Sequence, residues 1–311
     1  MVDKDTCGVC DCQDFDVIGQ WHHGEDARIA GVPVSLEDSQ YEIRQCRSCG
    51  FRWKSPQISY HDCRKYYGAS TTTDWFMSDS AVKSRRLEQK QQLIERLVSG
   101  HRVLDIGCWH GGFLACWGAR WERFGIEPSD AGRKACCEAG IKLIGHAVED
   151  ISHADLSFDA VCMMDVLEHL PDPFHLLKPV AERLEPAGAL MIETGDTDSL
   201  HARAMGSDWY YYGCAEHVSF CCAHALHTLF ARLGLAVRGI WRWPHMVRGR
   251  RHVAEQWYAA LTYKWPVLRP RHLARCLVRQ GRLPKREGVS PWLTGLSDHI
   301  LVIGLKPDGR M

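Results

Sequence analysis

The stretch Val103-Leu-Asp105-Ile-Gly107-Cys-Trp109-His-Gly111-Gly112 constrains this chain more than any other. Apolar residues around one acid describe a buried strand that ends in a carboxylate. The glycines behind it let the backbone turn sharply and approach a ligand closely. About 20 residues further on, Phe124-Gly-Ile-Glu127 is a second strand closed by an acid, where a carboxylate can accept from both hydroxyls of a ribose. Together they predict a nucleotide-binding α/β unit.

Strand and helix patterns then alternate. Predicted helices are an apolar one through Trp117, one capped by Ser129 and ending near Gly140, and one with Phe174, Leu176, Leu177 and Leu184. Predicted strands are 141–144, 158–164 and 189–193. Upstream, Leu87, Leu93, Ile94, Leu97 and Val98 recur at helical spacing, and Gly100 reads as their C-cap. Downstream come a helix over 224–233 closed by Gly234, a strand from Leu235, and a last strand over 299–305. Such alternation implies a parallel sheet covered on both faces.

A dinucleotide fold is the obvious rival. It needs Gly-x-Gly-x-x-Gly, with helix amides on a pyrophosphate. Here Trp109 stands two beyond Gly107, and Asp105 would face the pyrophosphate with like charge. A cofactor carrying an ammonium and a sulfonium suits Asp105 better. Asp-x-Gly-x-x-x-Gly-Gly, Gly125-Ile-Glu127-Pro-Ser and Phe158-Asp-Ala-Val-x-x-x-Asp165-Val-Leu-Glu168-His169-Leu-Pro-Asp-Pro occur in that order. They resemble class I S-adenosylmethionine-dependent methyltransferases over residues 80–240 and again at the last strand. The resemblance implies a Rossmann-like seven-stranded α/β sheet with an antiparallel last strand, and S-adenosylmethionine as cofactor. It also implies that Gly107 and Gly111 shape the methionine pocket and that Asp105 supports its amino-acid end. Glu127 would bind ribose, Val148, Glu149 and Asp150 would border adenine, and Asp165 would sit beside the transferred methyl. One departure is Trp109, which replaces the family's middle glycine and must point away from the cofactor or reshape its pocket.

Cys7-Gly-Val-Cys10 and Cys46-Arg-Ser-Cys49 are paired Cys-x-x-Cys knuckles, which together make a tetrahedral sulfur site for zinc. Four cysteine ligands mark a closed, structural Zn2+ site. The chain thus divides into a zinc ribbon over 1–60, a polar connector and helix over 61–100, and a catalytic domain over 101–311 with a basic helical insertion at about 242–297. The arrangement resembles methyltransferases with an N-terminal zinc ribbon, among them antibiotic-sugar C-methyltransferases. Related sugar methyltransferases carry a Glu-His pair as general base, which implies that role for Glu216 and His217; His169 is a second candidate. Asp165, Glu168 and His169 match the spacing at which ubiquinone-pathway O-methyltransferases bind a divalent cation. Trp209-Tyr-Tyr-Tyr212 offers rings to stack on an acceptor.

With 45% hydrophobic residues the chain can bury a large core, and its formal net charge of zero argues against coating nucleic acid. No basic-then-apolar leader is present, and no apolar run approaches the roughly 20 residues that span a bilayer. A cytoplasmic, reducing setting is expected. Between Arg238 and Glu287, however, Lys and Arg far outnumber acids, with tryptophans interleaved and Arg271, Arg275 and Arg279 spaced along one helix face. Such a surface attracts an anionic or carrier-linked small-molecule acceptor of O-, N- or C-methylation, as in secondary-metabolite or glycan biosynthesis. The rival is a nucleic-acid or protein binding module, using the ribbon and basic helices on an inactive fold.

Overall fold

The computed structural model describes residues 2–21, 27–34, 41–68, 80–244, 258 and 297–309. The N-terminal part is β-rich. It holds β1 (Phe15–Trp21), the short pair β2 (Arg28–Ile29) and β3 (Val32–Pro33), β4 (Tyr41–Cys46) and β5 (Arg52–Ser55). In β4 every second residue from Tyr41 to Ile43 is buried, the mark of a strand with one covered face. Helix α1 (Tyr60–Gly68) follows, in a stretch whose polarity predicts a connector. Its buried Cys63 and half-buried Tyr66 and Tyr67 pack beside Ile29 and Val34, so tertiary contact makes the helix.

After α2 (Ser80–Glu95) the chain alternates as expected. It runs through β6 (Arg102–Ile106), β7 (Glu122–Ile126), α3 (Asp130–Glu138), β8 (Lys142–Gly145), β9 (Phe158–Met164), α4 (Pro173–Glu182) and β10 (Leu184–Gly195). Then come α5 (Leu200–Met205), α6 (Tyr210–Gly213), β11 (Ser219–Phe220), α7 (Ala223–Arg232), β12 (Ala236–Trp243) and β13 (His299–Leu305). Seven strands form one sheet in the order β12-β13-β10-β9-β6-β7-β8. Strands β6 to β10 are parallel to one another, and β13 runs antiparallel between β10 and β12. This is the Rossmann-like seven-stranded sheet with a reversed last strand that the sequence resemblance implies.

Strand alternation builds two cores. Leu104, Ile106, Val161, Ile192 and Val302 join α4 and α7 on one face. Val103, Ala160, Cys162, Met191 and Leu301 join α2 and Cys136 of α3 on the other. Cys7, Cys49, Phe51 and Trp53 belong to the first core, so the N-terminal module packs directly on the sheet's helical layer. Pairing welds it further, because β11 extends the order β1-β4-β5-β11.

Three local expectations fail for identifiable reasons. The apolar helix through Trp117 is only a 3-10 turn, Leu114–Cys116, where Trp117 sets its ring edge-on to Phe113 and Trp121. Leu184 opens β10 opposite Phe158 instead of closing α4, because the chain caps at Arg183. Gly100 does not cap α2, which ends at Glu95; a Cβ at Gly100 would lie 1.7 Å from the Asp159 carboxyl carbon. That carboxylate accepts from the amides of His101 and Arg102, and only glycine leaves it room.

Candidate functional site

The loop after β6 carries the first set of predicted residues. Gly107 and Gly111 have φ of 76° and 78°, in the left-handed region. A Cβ at Gly107 would come within 2.5 Å of the Val166 side chain, and one at Gly111 within 2.1 Å of Ile141. Trp109, at φ 50°, adopts the backbone conformation that a glycine would take there, at a cost of roughly 1–2 kcal/mol. Glu127 offsets that cost. Its carboxylate accepts from the Trp109 amide at 2.8 Å, and from the Ser129 amide at 2.8 Å and hydroxyl at 2.5 Å. The acid expected at ribose therefore also braces the loop.

Asp105 is buried, and its Oδ1 has no hydrogen-bond partner among the described residues. Burial first, then the nearby Cys136 and Glu127, pushes its carboxyl well above the usual carboxylate range. A cation arriving at this loop would remove that penalty. An ammonium-bearing cofactor fits; a pyrophosphate does not. Val148, Glu149 and Asp150 lie in the 3-10 turn after β8, with Val148 buried. Asp150 caps this turn, accepting from the amides of His146 and Ala147, while Glu149 meets Tyr60 at 3.5 Å and Arg64 at 3.7 Å.

The second set gathers after β9. Asp165, at φ 53°, follows the strand, and Glu168 and His169 lie on the 3-10 turn Leu167–His169. His217 arrives from the loop before β11, its ring centroid 4.9 Å from that of His169 and 4.3 Å from that of Tyr211. Its Nδ1 lies 3.2 Å from the Tyr211 carbonyl, which can only accept, so that nitrogen carries the proton and Nε2 keeps its lone pair. Burial, His169 and Lys54 hold the His217 imidazole well below its usual range, hence neutral. His169 Nδ1 meets the Tyr67 hydroxyl at 2.7 Å and the Glu216 carbonyl at 3.3 Å. Glu216 itself is buried.

Ligand atoms of Glu168, His169 and His217 lie within 4.8 Å of one another, a set without Asp165. A divalent cation there would share a Glu168 oxygen with a hydrogen-bond donor and require the carboxyl ionised. Each Glu168 oxygen already accepts one hydrogen bond, from Tyr211 at 2.5 Å and from Thr194 at 2.8 Å, and burial raises its carboxyl to about 7. Trp209, Tyr211 and Tyr212 are buried against Phe220, so they form a wall of packed rings rather than a free stacking surface.

The four predicted cysteines converge. Cys7 and Cys49 sulfurs are 3.6 Å apart, Cys10 and Cys46 3.5 Å, and all four lie within 4.8 Å of one another. Thiolates about 2.3 Å from one zinc sit about 3.8 Å apart, so the set suits a tetrahedral ion. Cys12 stays outside, against Asp14. The histidine that the sequence did not flag is His299, buried at the start of β13 and 3.3 Å from Asp165. Arg271, Arg275, Arg279 and most of the 242–297 insertion lie outside the described residues. Among the described residues no helix is long and apolar enough to cross a membrane.

A methyltransferase-domain family profile matches residues 82–239. The ubiquinone biosynthesis O-methyltransferase of Xanthomonas axonopodis pv. citri is 31% identical over 151 residues, covering 44% of this chain and 62% of that protein. The enzyme of the same name from Vibrio cholerae is 37% identical over 106 residues, covering 30% and 42%. The chain thus spans less than two thirds of these relatives' length. The YcgJ protein of Bacillus subtilis has the same fold, with a TM-score of 0.50 at 16% identity over 72% of this chain and 99% of that one.

Proposed function

We propose, since the chain belongs to the methyltransferase-domain family and is an S-adenosylmethionine-dependent methyltransferase, that it methylates a small acceptor whose proton is taken by His217. The observation that carries this reading is the His217 tautomer, with Nδ1 spent on the Tyr211 carbonyl and the Nε2 lone pair left for a proton. When bound, S-adenosylmethionine supplies a methyl group on a sulfonium, open to in-line displacement by the acceptor. Asp105 would take the ammonium, Gly107 and Gly111 the methionyl chain, Glu127 the ribose, and Val148 and Glu149 the adenine. Asp165 would line the acceptor side. His169, packed edge-on against His217, would keep that ring in place, and the Glu216 carbonyl would fix His169 in turn. Cys7, Cys10, Cys46 and Cys49 would hold a structural zinc that supports the loop before β11.

Relatives named for ubiquinone O-methylation favour an oxygen nucleophile. The Lys- and Arg-rich stretch favours an anionic or carrier-linked acceptor. Losing a general base typically costs about 10²–10⁴-fold in rate. His217→Ala should therefore lose turnover on that scale while S-adenosylhomocysteine affinity is kept. Arg275→Ala should mainly raise the acceptor's Michaelis constant. Labelled-methyl transfer onto a panel of catechols, anionic phenols and sugar nucleotides measures both; undiminished turnover in the histidine variant would remove His217 from the reaction.

A further inference from the structure

Two thiols with no part in methyl transfer meet at the loop after β6. Cys108 lies on that loop, between Gly107 and Trp109, and Cys136 in the last turn of α3. Both are buried, and their sulfurs are 3.5 Å apart. A glycine makes room for the contact: a Cβ at Gly125 of β7 would come within 2.5 Å of the Cys108 sulfur. The pair is also bonded to the loop. The Cys136 thiol donates to the Trp109 carbonyl at 2.9 Å, which leaves Cys108 to donate to the Cys136 sulfur.

Trp109 is the loop residue with a left-handed backbone, a conformation that a non-glycine residue holds only when its surroundings enforce it. Two of the groups that enforce it stand on opposite sides of the residue. Glu127 accepts from its amide at 2.8 Å, and Cys136 donates to its carbonyl. The hydrogen bond between the thiols makes them unequal. It lowers the Cys136 thiol below its usual range and raises that of Cys108, so Cys136 ionises first and is the better nucleophile. Trp109 is half-buried and His110 exposed, so motion of this loop is enough to admit a small oxidant.

We propose that Cys108 and Cys136 form a redox modification site: a hydroperoxide joins them in a disulfide, and the joined loop binds the methyl donor more weakly. The effect on binding rests on the donor lying at this loop, as proposed above. The Cys136 thiolate attacks one peroxide oxygen and the O–O bond breaks, giving a sulfenic acid and hydroxide, which takes up the proton that Cys136 released. The Cys108 thiol then attacks the sulfenic sulfur. An S–S bond forms, and the sulfenic oxygen leaves as water with the Cys108 proton. The two thiols are oxidised, and hydrogen peroxide is reduced to water. The sulfurs close from 3.5 Å to the roughly 2.05 Å of a bond, which draws Cys108 towards α3. Cys136 keeps no hydrogen for the Trp109 carbonyl. Trp109 thus loses one of its braces, beside the glycines proposed to shape the donor's pocket. By linkage, a bound donor disfavours the disulfide by the same factor.

The test treats the full chain with hydrogen peroxide, blocks the thiols that remain, and maps disulfides by peptide mass spectrometry. Calorimetry with S-adenosylhomocysteine follows on the same samples. A Cys108–Cys136 peptide pair should appear on treatment and disappear with dithiothreitol. Affinity should fall about tenfold on oxidation, the scale of one lost hydrogen bond, and return on reduction. S-adenosylhomocysteine present during treatment should protect the pair. Cys136→Ser and Cys108→Ser should each show the same affinity before and after peroxide. A loss that persists in them comes from other thiols and overturns the proposal. Cys137→Ser, which removes the exposed neighbour on α3, should respond as the native chain does. No linked peptide, a Cys108–Cys137 link in its place, or linkage without loss of affinity overturns the proposal. If reduced native protein does not bind S-adenosylhomocysteine, the effect on the methyl donor falls, while the mass spectra still decide the disulfide.

Discussion

Buried histidines do opposite things in this molecule, according to what faces them. His299 has a carboxylate at each nitrogen and is held charged. His201 is also fully buried, stacked on Tyr210 at 5.4 Å, but neither of its nitrogens has a hydrogen-bond partner among the described residues. Burial lowers it to about 4, and Asp298 only partly opposes the shift. Its folded pKa lies below the unfolded value of about 6.5, so the unfolded chain binds the proton more readily. The resulting stability is present above about pH 6.5 and is lost as pH falls toward 4. At about 1.4 kcal/mol per unit, the loss is on the order of 3 kcal/mol. His217 is lowered for the same reason and adds in the same direction. Urea unfolding midpoints should therefore drop steeply between pH 6.5 and 4 in the native chain and less steeply in His201→Phe. Parallel pH dependences would show that His201 carries none of the effect.

Elements that declare themselves in sequence are those whose own residues decide their state. Strands β6, β9 and β13 are runs of apolar residues that no other environment suits, and Ser129 caps α3 by accepting from Gly132, as its position ahead of an acid predicts. Helix α1 was hidden because its apolar residues make no stripe, and β11 because two residues have no period to read. Yet β11 couples the module of the four cysteines to the candidate acceptor site. Ser219 and Phe220 pair with Trp53 and Arg52, the Lys54 amide donates to the Val218 carbonyl at 3.1 Å, and buried Lys54 donates through Nζ to the Cys214 carbonyl at 2.6 Å. These bonds flank Glu216 and His217. Elemental analysis should find one zinc per chain in native protein and little in Cys46→Ser. The His217 resonance should shift in that variant, while S-adenosylhomocysteine still binds at β6 and β7. Full zinc in the serine variant would exclude Cys46 as a ligand, and an unmoved His217 would show that the four-cysteine module does not support the site.

Across the whole molecule, the candidate cofactor half of the site was legible because it is local: Asp105 lies near the end of β6, Gly107 and Gly111 on the loop after it, and Glu127 directly after β7. The acceptor half was only partly legible. His169 and His217 stood out beside acids, but nothing in the chain near His299 names Asp165 as its partner; only the sheet order β13-β10-β9 brings them together. The second role of Glu127, bracing Trp109 in place of a glycine, was likewise a matter of shape. The central claim is that this loop binds the methyl donor, and calorimetric titration of the native chain with S-adenosylhomocysteine tests it most directly. One site per chain is expected, with affinity weakened by about 1–3 kcal/mol in Glu127→Ala, the scale of charge-assisted hydrogen bonds. No binding by the native protein, or equal affinity in the alanine variant, would contradict the account.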